Sequence, residues 1–94
     1  AEQYTDEDWE LLNSIAWTYY EQFDGKSDLK NALKWAAKSV GIEAHYYNLD
    51  TYGMLLAKLG ETKDAKEQLS SAIEKANEEG MDATETKKAL QGIE

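Results

Sequence analysis

The chain contains no cysteine and no proline, and all ten of its basic residues are lysine. Without cysteine neither a disulfide nor a thiolate metal site can supplement the core, so packing must hold the fold together. The lack of proline removes the strongest helix breaker and leaves long helical patterns uninterrupted. Without arginine there is no bidentate guanidinium fork, so phosphate or carboxylate recognition would rest on lysine point charges or backbone amides. Positive charge is itself scarce: 19 acidic residues against 10 basic ones give a net charge of -9, which argues against nucleic acid and anionic lipid as partners. No apolar run approaches the roughly 20 residues that span a bilayer. The N-terminal AEQYTDEDWE has neither a basic nor an apolar leader region. The chain is therefore expected to be soluble, and its start on Ala1 rather than methionine is read as a mature product, a trimmed start or, the preferred reading, a domain cut from a longer protein.

What is present is helical periodicity over 94 residues, a length that suits one small domain. Trp9, Leu12, Ile15, Ala16, Tyr19, Tyr20 and Phe23 step by three and four and predict a first helix with one broad apolar face. Thr5 with Asp8 makes a capping-box signal before it. FDGKS breaks the pattern, and Ser27 is placed to cap a second helix over about 28–40, with Gly41 as its stop. A third helix over about 45–59 ends at Gly60, and Thr62 caps a fourth over about 63–79 with Gly80 beyond. Asp82 followed by Glu85 opens a short fifth helix through Ala89, Leu90 and Ile93.

The chain also matches itself. Ala32, Ala36, Ser39 and Val40 correspond to Ala65, Leu69, Ala72 and Ile73 at one constant offset. Leu12, Ile15, Ala16 and Tyr19 correspond to Leu49, Tyr52, Gly53 and Leu56 at another, four residues longer. A longer first turn explains the difference, so the pattern is a tandem repeat of helical hairpins.

The sequence Leu49-x-x-Tyr52-Gly53-x-x-Leu56, followed by Gly60, Ala65, Leu69 and Ala72, resembles the tetratricopeptide (TPR) repeat. The likeness is strong over 47–79 and weaker over 10–42, and Asn77 stands near the point where that family usually closes on a proline. ALKWAAKSV and EEGMDATETKKAL extend it: the chain is similar to TPR-like tails that follow thioredoxin-like domains in some bacterial envelope proteins. The resemblance implies an all-α fold of two hairpins, repeat 1 over about 8–42 and repeat 2 over about 45–79. A capping helix over about 82–93 would present Lys87, Lys88 and Gln91 to solvent, and the whole would form a right-handed superhelix. It further implies a bacterial periplasmic setting. Because the cysteine pair of such enzyme domains is missing here, redox activity does not carry over.

In such hairpins a small residue on each helix lets the backbones approach. Gly53 is therefore expected to face Ala65 or Ala72, and Ala16 to face Ala32 or Ser39; the bland alternative is a neutral helix defect at Gly53. The first helix of each hairpin would line a concave face, presenting Asn13, Trp17, Tyr20 and Glu21 from repeat 1 and Tyr47, Asp50, Met54 and Lys58 from repeat 2. Aromatic platforms with a methionine and mixed polar ends suit a protein or peptide partner. Alternatively, Trp17 and Tyr20 pack on the Trp9 region or the long turn and merely enlarge the core. The family's carboxylate clamp for acidic tails is not expected, because only Asn13 and Lys58 are of the right kind while Glu21 and Asp50 oppose it.

Other chemistries find little support. Asp6, Glu7, Asp8 and Glu10 lack the alternating spacing and turn glycine of a calcium loop and read as a helix start favoured by the macrodipole. His45, the sole histidine, has no cysteine or second histidine beside it. Ser70 and Ser71 lie in no nucleophile elbow and are read as packing residues, and no phosphate-cradling glycine loop is present. No catalytic residue, cofactor or metal is assigned. The expected function is a non-catalytic protein-interaction module. The alternative is a structural tail in which Trp9, Trp17 and Trp35 dock onto an adjacent domain or a second copy of the chain.

Overall fold

The computed structural model describes residues 8–93. Among them there are five helices and no strand: α1 (Trp9–Gln22), α2 (Lys26–Ile42), α3 (Tyr46–Lys58), α4 (Thr62–Glu79) and α5 (Thr84–Gly92). The order and the inward faces follow the periodicity, whereas several expected caps are displaced.

At α1, Thr5 lies outside the described residues, and Asp8 is itself the cap: its extended backbone aims the carboxylate at the amides of Glu10 and Leu11, both at 3.1 Å. Ser27 does not cap α2, which begins at Lys26 behind Gly25 without any side-chain cap. Nor does Gly41 stop α2. The helix runs on to Ile42 because its end is held from outside, Asn48 donating through Nδ2 to the Glu43 carbonyl at 2.7 Å and to Ser39 Oγ at 3.0 Å.

Thr62 is the first helical residue of α4 rather than its cap, a position taken by Glu61. The two helix stops at Gly60 and Gly80 are as expected, with φ of +86° and +70°. At each, the next amide reaches back to a free carbonyl, Glu61 to Leu56 at 2.9 Å and Met81 to Ala76 at 2.8 Å. Before α5 the cap is Ala83; Asp82 accepts instead from the amide and hydroxyl of Thr84, and Glu85 pairs with Lys88 rather than reaching back.

Consecutive helices pack on one another, and α1 also lies against α3. With extents of 43 × 33 × 19 Å the molecule is about two helices thick. Between α1, α2 and α3 the buried cluster is Ala16, Leu29, Ala32, Ala36 and Leu55, bordered by Tyr19, Trp35 and Tyr52. Three wholly buried alanines there allow close helix approach, as expected for Ala16.

Across α3 and α4 the contact differs from expectation. Leu69 is the residue nearest Gly53, between the expected Ala65 and Ala72, which lie about one turn to either side on the same α4 face; all three are fully buried. The glycine makes room for a leucine to lie flat against the α3 backbone, so it is no neutral defect. Ser70 and Ser71, expected to pack, are exposed beside it. Lys87, Lys88 and Gln91 face solvent on α5, while Thr86 is buried on the opposite face.

Candidate interaction groove

Positions 13, 17 and 20 fall on one face of α1, and 47, 50 and 54 on one face of α3. Because α1 and α3 are neighbours, those faces meet in two adjoining hollows. One of about 350 Å³ is lined by Asn13, Ser14 and Trp17 of α1 and by Tyr46, Tyr47, Asp50 and Thr51 of α3. The other, about 530 Å³, is lined by Trp17, Tyr20, Asp50 and Met54, with Glu85, Lys88 and Ala89 of α5 as its far wall. Trp17 and Asp50 belong to both, so together the hollows form one groove.

Six of the eight expected groove residues thus come together, and two do not. Glu21 is exposed and lines neither hollow. Lys58 is turned to the end of α1, where Nζ donates to the carbonyls of Tyr20 at 2.6 Å and Phe23 at 3.3 Å. It also pairs with Asp24 at 3.3 Å and lies 4.7 Å from the centre of the Tyr20 ring. A long side chain finds these four partners more easily than it reaches along the groove, and its charge serves to join α3 to the end of α1.

The aromatic residues divide among three places. Trp17 stacks on Tyr20 at 4.8 Å between ring centres, Tyr19 meets Trp35 edge-on at 4.9 Å and Phe23 at 4.7 Å, and Trp9 stacks on His45 at 4.9 Å. Trp17 therefore does not lean on the Trp9 region. Tyr20 does both jobs, packing against the core cluster and lining the groove.

His45 is accounted for by structure: it caps α3, lies between the rings of Trp9 and Tyr47, and directs Nε2 at Glu79 at 3.5 Å. Of the acidic cluster, Asp6 and Glu7 lie outside the described residues, Asp8 caps α1, and Glu10 is exposed. Among the described residues no three His, Cys, Asp or Glu side chains converge to hold a metal ion, and no helix is long and apolar enough to cross a membrane.

At the junction of the two hollows, Thr86 donates to Asp50 Oδ1 at 2.7 Å. Because the single hydroxyl proton of Thr86 is spent there, the Tyr46 hydroxyl, also 2.7 Å away, is the donor to Thr86. This relay ties α5 to α3. Neither Tyr46 nor Thr86 was picked out by periodicity, since the pattern locates α5 but not the surface on which it folds back. In the wall of the smaller hollow, Asn13 Oδ1 is a buried acceptor without a partner among the described residues.

Burial raises the Asp50 carboxyl above the usual aspartate range, and the Thr86 bond offsets only part of that rise. The folded state therefore holds the Asp50 proton more tightly than the unfolded state. Its penalty is absent below the ordinary carboxylate range and fully present above the raised value. Asp50→Asn keeps an acceptor for Thr86 and removes the charge. Thermal melts are expected to show a higher midpoint than wild type at neutral pH, with the gap closing as the pH falls through the carboxylate range.

Comparison with known protein families, with curated proteins and with solved structures gives no match. The fold and site define the class on their own terms: an all-helical protein with an aromatic groove between its first, third and fifth helices.

Proposed function

We propose that this chain is a non-catalytic protein-interaction module that takes a peptide or protein segment into the α1/α3/α5 groove. In this reading α1–α2 and α3–α4 are TPR-like hairpins stacked in a right-handed superhelix, with α5 as the cap. The observation that carries it is the groove itself: Trp17, Tyr20 and Met54 offer apolar contact beside Asp50, Lys88 and Glu85. A large apolar platform with a polar rim is the composition of interaction hot spots.

The second reading, a structural tail docked through Trp9, Trp17 and Trp35, has less to stand on, because Trp9 is stacked on His45 and Trp35 meets Tyr19 edge-on within the fold. Only Trp17 of the three lines the groove.

The test is to pan a displayed random-peptide library on the full chain and measure the isolates by fluorescence polarisation. Trp17→Ala and Met54→Glu are expected to weaken them about tenfold or more, as hot-spot truncations do, while helical circular dichroism is retained. Isolates indifferent to both substitutions would refute the groove as the binding surface.

A further inference from the structure

We infer that the groove selects a partner segment carrying a lysine or arginine side chain, which lies on the Trp17 face and takes Asp50 as its counter-ion. This rests on the groove being the binding surface.

The first argument is an unbalanced charge. Asp50 stands in the wall of both hollows with one carboxylate oxygen bonded to Thr86, and among the described residues no lysine is paired with it. Lys58 is held at the end of α1 by two carbonyls and Asp24. Lys88, on the far wall, lies 4.0 Å from Glu85 with both side chains largely exposed, and is not paired with Asp50. A half-buried carboxylate without a cation gains most from an arriving one, because the surrounding low dielectric strengthens the pair.

Ring chemistry supplies the second argument. The negative faces of indole and phenol attract ammonium and guanidinium groups, tryptophan most strongly. Trp17 is shared by both hollows, as Asp50 is, so ring and carboxylate occur together at their junction. Tyr20, in the same groove, already holds a cation in this way: the Lys58 ammonium over its ring. At longer range the net charge of -9 draws cationic partners and repels acidic ones.

The library isolates provide the test. Lysine or arginine is expected at one recurring position, and norleucine there should cost about tenfold or more in affinity, the scale of a charge-assisted bond. On Asp50→Asn the lysine and norleucine forms should bind nearly alike. Trp17→Phe, which keeps an apolar face but weakens the cation attraction, should penalise the lysine form more than the norleucine form. Isolates that depend on Trp17 yet show no enriched cation, or an equal norleucine penalty on wild type and Asp50→Asn, would overturn the inference and leave the groove reading standing. Isolates that ignore Trp17 and Met54 would overturn both.

Discussion

Gly53→Leu is expected to destabilise the fold by about 1–3 kcal/mol through overpacking, a fall of about 4–8 °C in melting midpoint for each kcal/mol in a domain of this size. Even a single added carbon is too much. A Cβ on Gly53 would lie 2.7 Å from both Cγ and Cδ2 of Leu69 and 3.2 Å from the Leu69 backbone nitrogen. The Cγ contact is at the base of the leucine, not its flexible tip, so relief requires α3 and α4 to separate. Alanine at this position gains about 1 kcal/mol of helix propensity and is still expected to lose overall. Gly41→Ala is the control: Gly41 also lies within a helix, but a Cβ there meets nothing within 4 Å, and the substitution should raise the midpoint. Differential scanning calorimetry of the three variants tests the opposed signs. A Gly53→Ala protein as stable as wild type would show that the α3–α4 spacing is slack.

Asn48→Ala is expected to cost about 2–4 kcal/mol, because it breaks three hydrogen bonds, one of them to the buried Ser39, and leaves a hole where a wholly buried side chain stood. The side chain is 0 % exposed and fully engaged. Its Oδ1 accepts from the His45 amide at 2.8 Å, while Nδ2 donates to the Glu43 carbonyl and to Ser39 Oγ. Ser39 in turn donates to the Trp9 carbonyl at 2.7 Å, so one amide group links the start of α3 to the end of α2 and, through a serine, to the start of α1. Asn48→Asp should be at least as damaging at neutral pH, since a carboxylate cannot donate to either partner and would bring a buried charge. Denaturant melts measure both, and hydrogen exchange should show the loss first at the His45 amide. A melt of Asn48→Ala coincident with wild type would remove this bridge from the account of the fold.

The helices and their inner faces were legible because alanine and leucine recur at three- and four-residue steps. The α1 and α3 sides of the groove were expected only through the resemblance to TPR hairpins, which assigns the first helix of each pair to a concave face and so points to Asn13, Trp17, Tyr20, Tyr47, Asp50 and Met54. Caps were less legible: Ser27 and Thr62 each had a competing position within a few residues, and the choice turns on backbone angles and distant tethers such as Asn48. That asparagine escaped notice because its partners, at positions 39, 43 and 45, become neighbours only when α2 and α3 close on each other. Lys58 was placed by its face, yet its reach carried it to carbonyls contributed by another helix. Thr86 was hidden for the converse reason, as a residue ordinary in its own helix and meaningful only where α5 meets Tyr46 and Asp50.

Each helix packs chiefly on the next in the chain, and α1 against α3 skips only one element. Such short-range topology belongs to the fastest folders, with relaxation on the order of microseconds to milliseconds. Synthesis on the ribosome releases α1 through α4 before α5, so the first four can associate as they emerge. The far wall of the groove follows the other four helices, and the hollow beside Trp17 and Met54 is complete only once the Thr86 hydroxyl finds Asp50.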